Sequence, residues 1–219
     1  MAAGLWPRSS LLGSNWTRLP ADAAARGEVA LTIDDGPEPE VTPPLLDLLD
    51  RRGARATFFC IGEKVAAQPA LARDIIRRGH AIENHSQRHL LWFSLFGPRA
   101  MAAEIANAQQ VIGSVVGIAP RFFRAPAGLR NAFLDPVLTH LGLQLASWTR
   151  RGFDTVNSTP SVVLGRLTRG LGAGDILLLH DGHAARSAAG QPVVLDVLPT
   201  LLDEIAARGL TPVTLSSAL

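Results

Sequence analysis

"VALTIDDGP", residues Val29–Pro37, decides the fold. Its first half is short, apolar and partly β-branched, which reads as a buried strand. Its second half, two aspartates before Gly-Pro, reads as a turn. Comparable apolar runs follow at "ATFFCI" (Ala56–Ile61), "HAIEN" (His80–Asn84), "RFFR" (Arg121–Arg124), "LQLASW" (Leu143–Trp148), "DILLLH" (Asp175–His180) and "TPVTL" (Thr211–Leu215). The segments between them carry apolar residues every three or four positions, the period of an amphipathic helix. "TPPLLDLLDRRG" places Thr42 as an N-cap, prolines in the first turn and Gly53 as the stop. "PALARDIIRRG" and "VVLDVLPTLLDEIAARG" also end in arginine before glycine, and "GPRAMAAEIANAQQVIG" is the longest helical pattern. Seven strands alternating with helices predict an α/β domain with a mainly parallel sheet covered on both faces. No linker or repeat divides the chain. Periodicity alone leaves an open sheet and a barrel as alternatives.

Composition narrows the class. The 219 residues are 47% hydrophobic and 18% charged, enough for one sizeable core. Apolar runs such as Ile176–Leu179 and Leu90–Phe93 fall far short of the ~20 residues of a membrane span. The start, "MAAGLWPRSSLLGSNWTRLP", is interrupted by charge and proline, so no signal peptide is expected within this chain. Membrane anchoring would then require a segment missing from it. Net charge is +2 and the arginines are scattered. The pairs Arg51–Arg52, Arg77–Arg78 and Arg150–Arg151 are expected on solvated helix faces, and no nucleic-acid partner is expected. The single cysteine, Cys60, lies in an apolar run and is expected in the core.

Reactive residues collect where the expected strands end, the edge at which α/β folds place function. Asp34–Asp35 follow the first strand, His85 and His89 the third, and Arg124 the fourth. Asp154 follows the fifth, and His180–Asp181 end the sixth. Any one has an ordinary structural explanation; five clusters on one rim do not. One carboxylate and two imidazoles make a facial triad with open positions, for which Zn²⁺ is the first expectation among divalent ions. Adjacent aspartates on an extended strand end point in opposite directions, which favours one ligand and one general base. His180, from another strand, suits a proton donor.

The set "LTIDDGP", "HSQRH", "RAPAG", "WTRRGFD" and "LLLHD", in this order, resembles the polysaccharide deacetylases of the NodB-homology type, carbohydrate esterase family 4. The resemblance covers residues 29–219 and leaves 1–28 as an N-terminal extension. It implies a single-domain distorted (β/α)7 barrel that removes N-acetyl groups from amino sugars of a chitin-like, peptidoglycan or lipid-linked glycan. It further implies Asp34 as the base that activates water, Asp35, His85 and His89 as metal ligands, and Arg124 as the partner that keeps Asp34 ionised. Asp154 would favour protonated His180, the acid. Leu178 would line the pocket for the acetyl methyl, and the Ala127 N–H would stabilise the oxyanion. Association with the cell envelope is the corresponding expectation.

Three positions depart from the family pattern: Ile33 replaces a phenylalanine, Ala127 a tyrosine and Thr155 a tryptophan. They bear on glycan specificity more than on reaction type. They leave room for an amidohydrolase acting on a formamido-sugar or cyclic amide, with a silent glycan-binding barrel as the third reading. "LLWFSLFG" (Leu90–Gly97) follows the histidines directly. It is expected to pack under the rim, the other reading being an apolar lip beside the metal. His183 is expected in a solvated loop.

Overall fold

The computed structural model of the protein describes residues 7–219. Helix α1 (Ala21–Ala25) leads into strand β1 (Glu28–Asp34), which is followed by α2 (Thr42–Arg51) and β2 (Thr57–Cys60). Then come α3 (Gly62–Ala67), α4 (Pro69–Arg77), β3 (Ala81–Asn84), α5 (Pro98–Val116) and β4 (Phe122–Phe123). The remainder is α6 (Leu134–His140), β5 (Gln144–Leu145), β6 (Arg150–Arg151), α7 (Pro160–Thr168), β7 (Ile176–His180), α8 (Val193–Ala207) and β8 (Thr211–Val213). Seven strands run in the order β5-β4-β3-β2-β1-β7-β6, and β8 joins the first half of β1. Every pairing is parallel. The curled sheet and its covering helices form the expected (β/α)7 barrel.

Period-two alternation sorts the strand residues between two cores. On β1, Val29, Leu31 and Ile33 join the large cluster under the helices, with Leu45, Leu49, Leu198 and Leu201. Ala30 faces the barrel interior beside Phe59, Phe122, Ile176 and Leu178. Thr32 and Asp34 share the face of Ala30, and His180 shares that of Leu178. Each fully buried aliphatic side chain stabilises by ~1.5–3 kcal/mol, so a slip of β1 by one residue would be costly. The strands are thereby held in register, and the polar residues at their ends are held with them.

No pairing joins β5 to β6, and residues 16–19 span that side of the ring. The Trp16 N–H donates to Leu145 O (2.8 Å), the Ser147 N–H to Trp16 O (2.8 Å) and the Leu19 N–H to Gly174 O (2.8 Å). Trp16 packs edge-on to Phe122 at 5.1 Å, and Leu19 and Ala23 are buried in the interior cluster.

Two expectations change. Val41, not Thr42, is the N-cap of α2. The Thr42 hydroxyl is engaged elsewhere, accepting from the Glu38 N–H (2.7 Å) and donating to Asp181 (2.5 Å). Arg51–Arg52 and Arg77–Arg78 do lie at helix ends, but Arg150–Arg151 form strand β6 beside β7. Cys60 is buried in the core as expected.

Candidate metal centre and catalytic rim

Strand β1 ends at Asp34, paired in register with His180 at the end of β7. The next residue, Asp35, adopts a left-handed backbone (φ 78°). The expectation that the two aspartates diverge is corrected by this turn. Continued extension would send Asp35 to the opposite face, whereas the kink returns its carboxylate to the Asp34 side. Oδ2 of Asp34 then lies 3.8 Å from His85 Nε2, and Oδ1 of Asp35 lies 3.3 Å from it. Gly182 permits this approach, because a Cβ there would meet the Asp35 carbonyl oxygen at 2.6 Å.

The histidine turn is built by side chains in the same way. Asn84 Oδ1 accepts from the Ser86 N–H (2.9 Å), and Ser86 Oγ accepts from the His89 N–H (3.0 Å). Ser86 and His89 are left-handed, at φ 65° and 53°. His89 Nε2 comes within 3.3 Å of Asp35 Oδ1. Ala127, Phe153 and His183 are also left-handed (φ 55°, 60° and 57°). Strained non-glycine backbone therefore concentrates on this rim, as is common where geometry serves function.

Asp35, His85 and His89 fit a metal. One ligand atom from each lies within 4.8 Å of the others. Asp35 Oδ1 is buried and has no hydrogen-bond partner among the described residues, a group that is costly to leave unsatisfied. Burial raises the Asp35 pKa, but bonds to His183 and His85 outweigh it and hold the carboxyl well below its usual range. Burial, with His85 nearby, pushes His89 down to about 4. An ionised carboxylate and a neutral imidazole are the forms that ligate. The His85 Nδ1–H donates to Arg124 O at 2.8 Å, which aims Nε2 at the cluster.

Arg124 is 1% exposed, and its guanidinium lies inside the barrel, 4.0 Å over the Phe59 ring. It donates to Asp34 Oδ1 (2.6 Å), Thr32 Oγ1 (2.8 Å), Ala146 O (3.1 Å) and Ser147 O (2.8 Å). Asp34 thus has one oxygen engaged and the other facing the cluster. Asp154 receives the His180 N–H (2.8 Å) on one oxygen and lies 2.9 Å from His180 Nδ1 with the other. Since the carboxylate only accepts, Nδ1 carries the proton there and Nε2 faces the cleft. Burial lowers the His180 pKa, but the bond and charge of Asp154 reverse this, and the net shift is upward.

Asp34, Asp35, His85, His89 and His180 open onto a cleft of about 550 Å³, which Ala127 and Leu178 also line. The turn around Ala127 is closed by the N–H groups of Gly128 and Leu129, so its own N–H is not needed for that closure. His183 lies in an exposed loop as expected, its side chain 63% exposed, and its Nδ1 also lies 3.2 Å from Asp35 Oδ2. In Leu90–Gly97 only Phe93 is buried, against Phe123 at 5.7 Å. Leu91, Trp92 and Leu95 are exposed, and Leu91 lines the cleft. Asp181, buried behind the site and pushed up to about 7 by that burial, braces Thr42 and the Gly182 N–H. Neither this brace nor β6 was singled out from the sequence.

Fold and site together define a single-domain (β/α)7 protein with an Asp-His-His cluster flanked by a buried carboxylate and a carboxylate-linked histidine. The signature of the polysaccharide deacetylase family matches residues 21–146, and the chain belongs to that family. It is 33% identical over 193 residues to a peptidoglycan-N-acetylglucosamine deacetylase of Bacillus cereus, covering 87% of each chain. A chitooligosaccharide deacetylase of a Bradyrhizobium species is 34% identical over 163 residues, 74% of each chain. Among solved structures, a family 4 carbohydrate esterase from Streptomyces lividans in complex with acetate superposes with a TM-score of 0.76 at 33% identity. That match covers 85% of this chain and 91% of the esterase.

Proposed function

We propose that the protein is a metal-dependent hydrolase that removes N-acetyl groups from amino sugars of an envelope glycan. The observation that carries this reading is the registered pair Asp34 and His180, flanking the Asp35–His85–His89 cluster on one cleft. A divalent ion held there, Zn²⁺ by the donor set, supplies Lewis acidity to the amide carbonyl and acidifies water. Asp34 accepts the proton of the attacking water on Oδ2, while Arg124 holds Oδ1. The Ala127 N–H donates to the oxyanion as the carbonyl carbon becomes tetrahedral. His180, protonated and held by Asp154, gives its Nε2 proton to the departing amine. Leu178, buried beneath the cleft, packs against the acetyl methyl. Relatives that act on peptidoglycan support the envelope assignment. Among the described residues no helix is long and apolar enough to cross a membrane.

The test is acetate release from chitooligosaccharides, peptidoglycan fragments and lipid-linked amino sugars. Acetate is expected from at least one of them. His89→Ala is expected to lose both that activity and the bound metal measured by elemental analysis. Full metal occupancy in this variant would refute the ligand assignment. Product from a formamido-sugar or cyclic amide, with no acetate from any glycan, would select the amidohydrolase reading.

The acid role makes a prediction about pH. His180 is active when protonated, so activity falls as pH rises through its pKa, which Asp154 holds above the ordinary histidine value. Asp154→Asn removes the charge and leaves the burial. The alkaline limb of the kcat/KM profile should then move to lower pH. A limb that stays in place would assign it to another group.

A further inference from the structure

Three cationic side chains other than histidines line the cleft: Lys64, Arg88 and Arg151. Lys64 pairs with Glu38 at 3.2 Å and Arg88 with Glu104 at 2.6 Å. Among the described residues Arg151 has neither a carboxylate partner nor a hydrogen-bond acceptor, and its Nε is buried without one. Alternation along β6 explains its position. Arg150 turns to one face and binds Asp175 and the carbonyls of Arg169 and Gly170. Arg151 turns to the other face, where it reaches the cleft.

The Arg151 guanidinium is held in place by aromatic rings. Its Cζ lies 4.7 Å from the Phe153 ring centroid and 5.4 Å from that of Trp148. Phe153 keeps a left-handed backbone (φ 60°), a conformation that is sterically unfavourable for a bulky residue. In the ladder Arg151 sits opposite Leu178 on the neighbouring strand. A fixed cation thus stands one strand away from Leu178, with donors that no group of the described protein accepts. A buried guanidinium nitrogen without an acceptor is costly, and a bidentate oxyanion meets that need well.

We propose that Arg151 is a specificity residue that binds an anionic substituent, a carboxylate or phosphate, on the amino sugar or its neighbour. The proposal rests on the reading of this cleft as a glycan site. It deepens that reading by naming a charged rather than a neutral sugar as the preferred substrate.

The test separates binding from turnover. In the full-length Asp34→Asn protein loaded with zinc, calorimetry compares two ligand pairs. One is a muramic-acid-containing disaccharide and its carboxamide; the other is N-acetylglucosamine 1-phosphate and N-acetylglucosamine. The acidic member of at least one pair should bind about tenfold or more tightly, and the pair that shows this preference identifies the anion. Adding Arg151→Gln should bring that ratio close to one. Adding Arg151→Lys, which keeps the charge and loses the planar fork, should restore part of it. Equal affinity within both pairs, or a ratio that Arg151→Gln leaves unaltered, would overturn the proposal. A preference lost in Arg151→Gln, without acetate release by the wild-type protein, would sustain the Arg151 assignment and reject deacetylation.

Discussion

Asp34→Asn is expected to retain the fold and bound metal while kcat falls by about 10²–10⁴-fold, the contribution typical of a positioned general base. Asparagine occupies the same volume and can still accept the Arg124 bond on its amide oxygen. At the position of Oδ2, however, it presents an amide nitrogen that takes no proton. The residues that could hold a metal ion are Asp35, His85 and His89, so elemental analysis of the variant should match wild type. Turnover near the wild-type level would remove Asp34 as the base. Parallel loss of metal would instead make Asp34 part of the metal site.

The second large effect is expected at Arg124. Arg124→Met leaves the Asp34 carboxylate, 3% exposed, inside the barrel without its cation. Removing one partner of a buried pair costs roughly 3–5 kcal/mol. Urea unfolding near neutral pH should show that loss. The Arg124→Met/Asp34→Asn double variant should recover part of it, because no charge is then stranded. The expected coupling is about 0.5–3 kcal/mol. Additivity of the two single losses would mean that Arg124 stabilises chiefly through Thr32, Ala146 and Ser147. The single variant should also lose activity, since the Asp34 carboxylate would then no longer be held in position.

Much of this was legible because the barrel repeats a local pattern. Each long strand carries its own continuous apolar run, and the polar residues that break the run at its end fall on one rim. The two histidines of "HSQRH" and His180 were therefore recognisable from position and chemistry. Strand β6 was not, because Arg150–Arg151 has no apolar signal and is ordered by the finished edge of β7. The left-handed turn at Asp35 was hidden for a similar reason. It depends on the close approach of Gly182, which is distant in sequence. The bridging role of residues 16–19 involves partners more than a hundred residues away, and no local pattern reports it. Leu90–Gly97 divides between the two readings of its sequence: Phe93 anchors it, while Leu91, Trp92 and Leu95 remain exposed.

The registered pairing of Asp34 with His180 also bears on how the site comes into existence. Their spacing is set by peptide hydrogen bonds between β1 and β7, two buried strands of the sheet. No lid has to close to bring them together. Amide protons in this ladder should exchange only through opening of the core, whereas those near Leu91 and Leu95 can exchange through local fraying. Asp34 and His180 thus assemble in the same cooperative event that forms the barrel. Loss of their alignment by thermal motion is then as rare as unfolding itself.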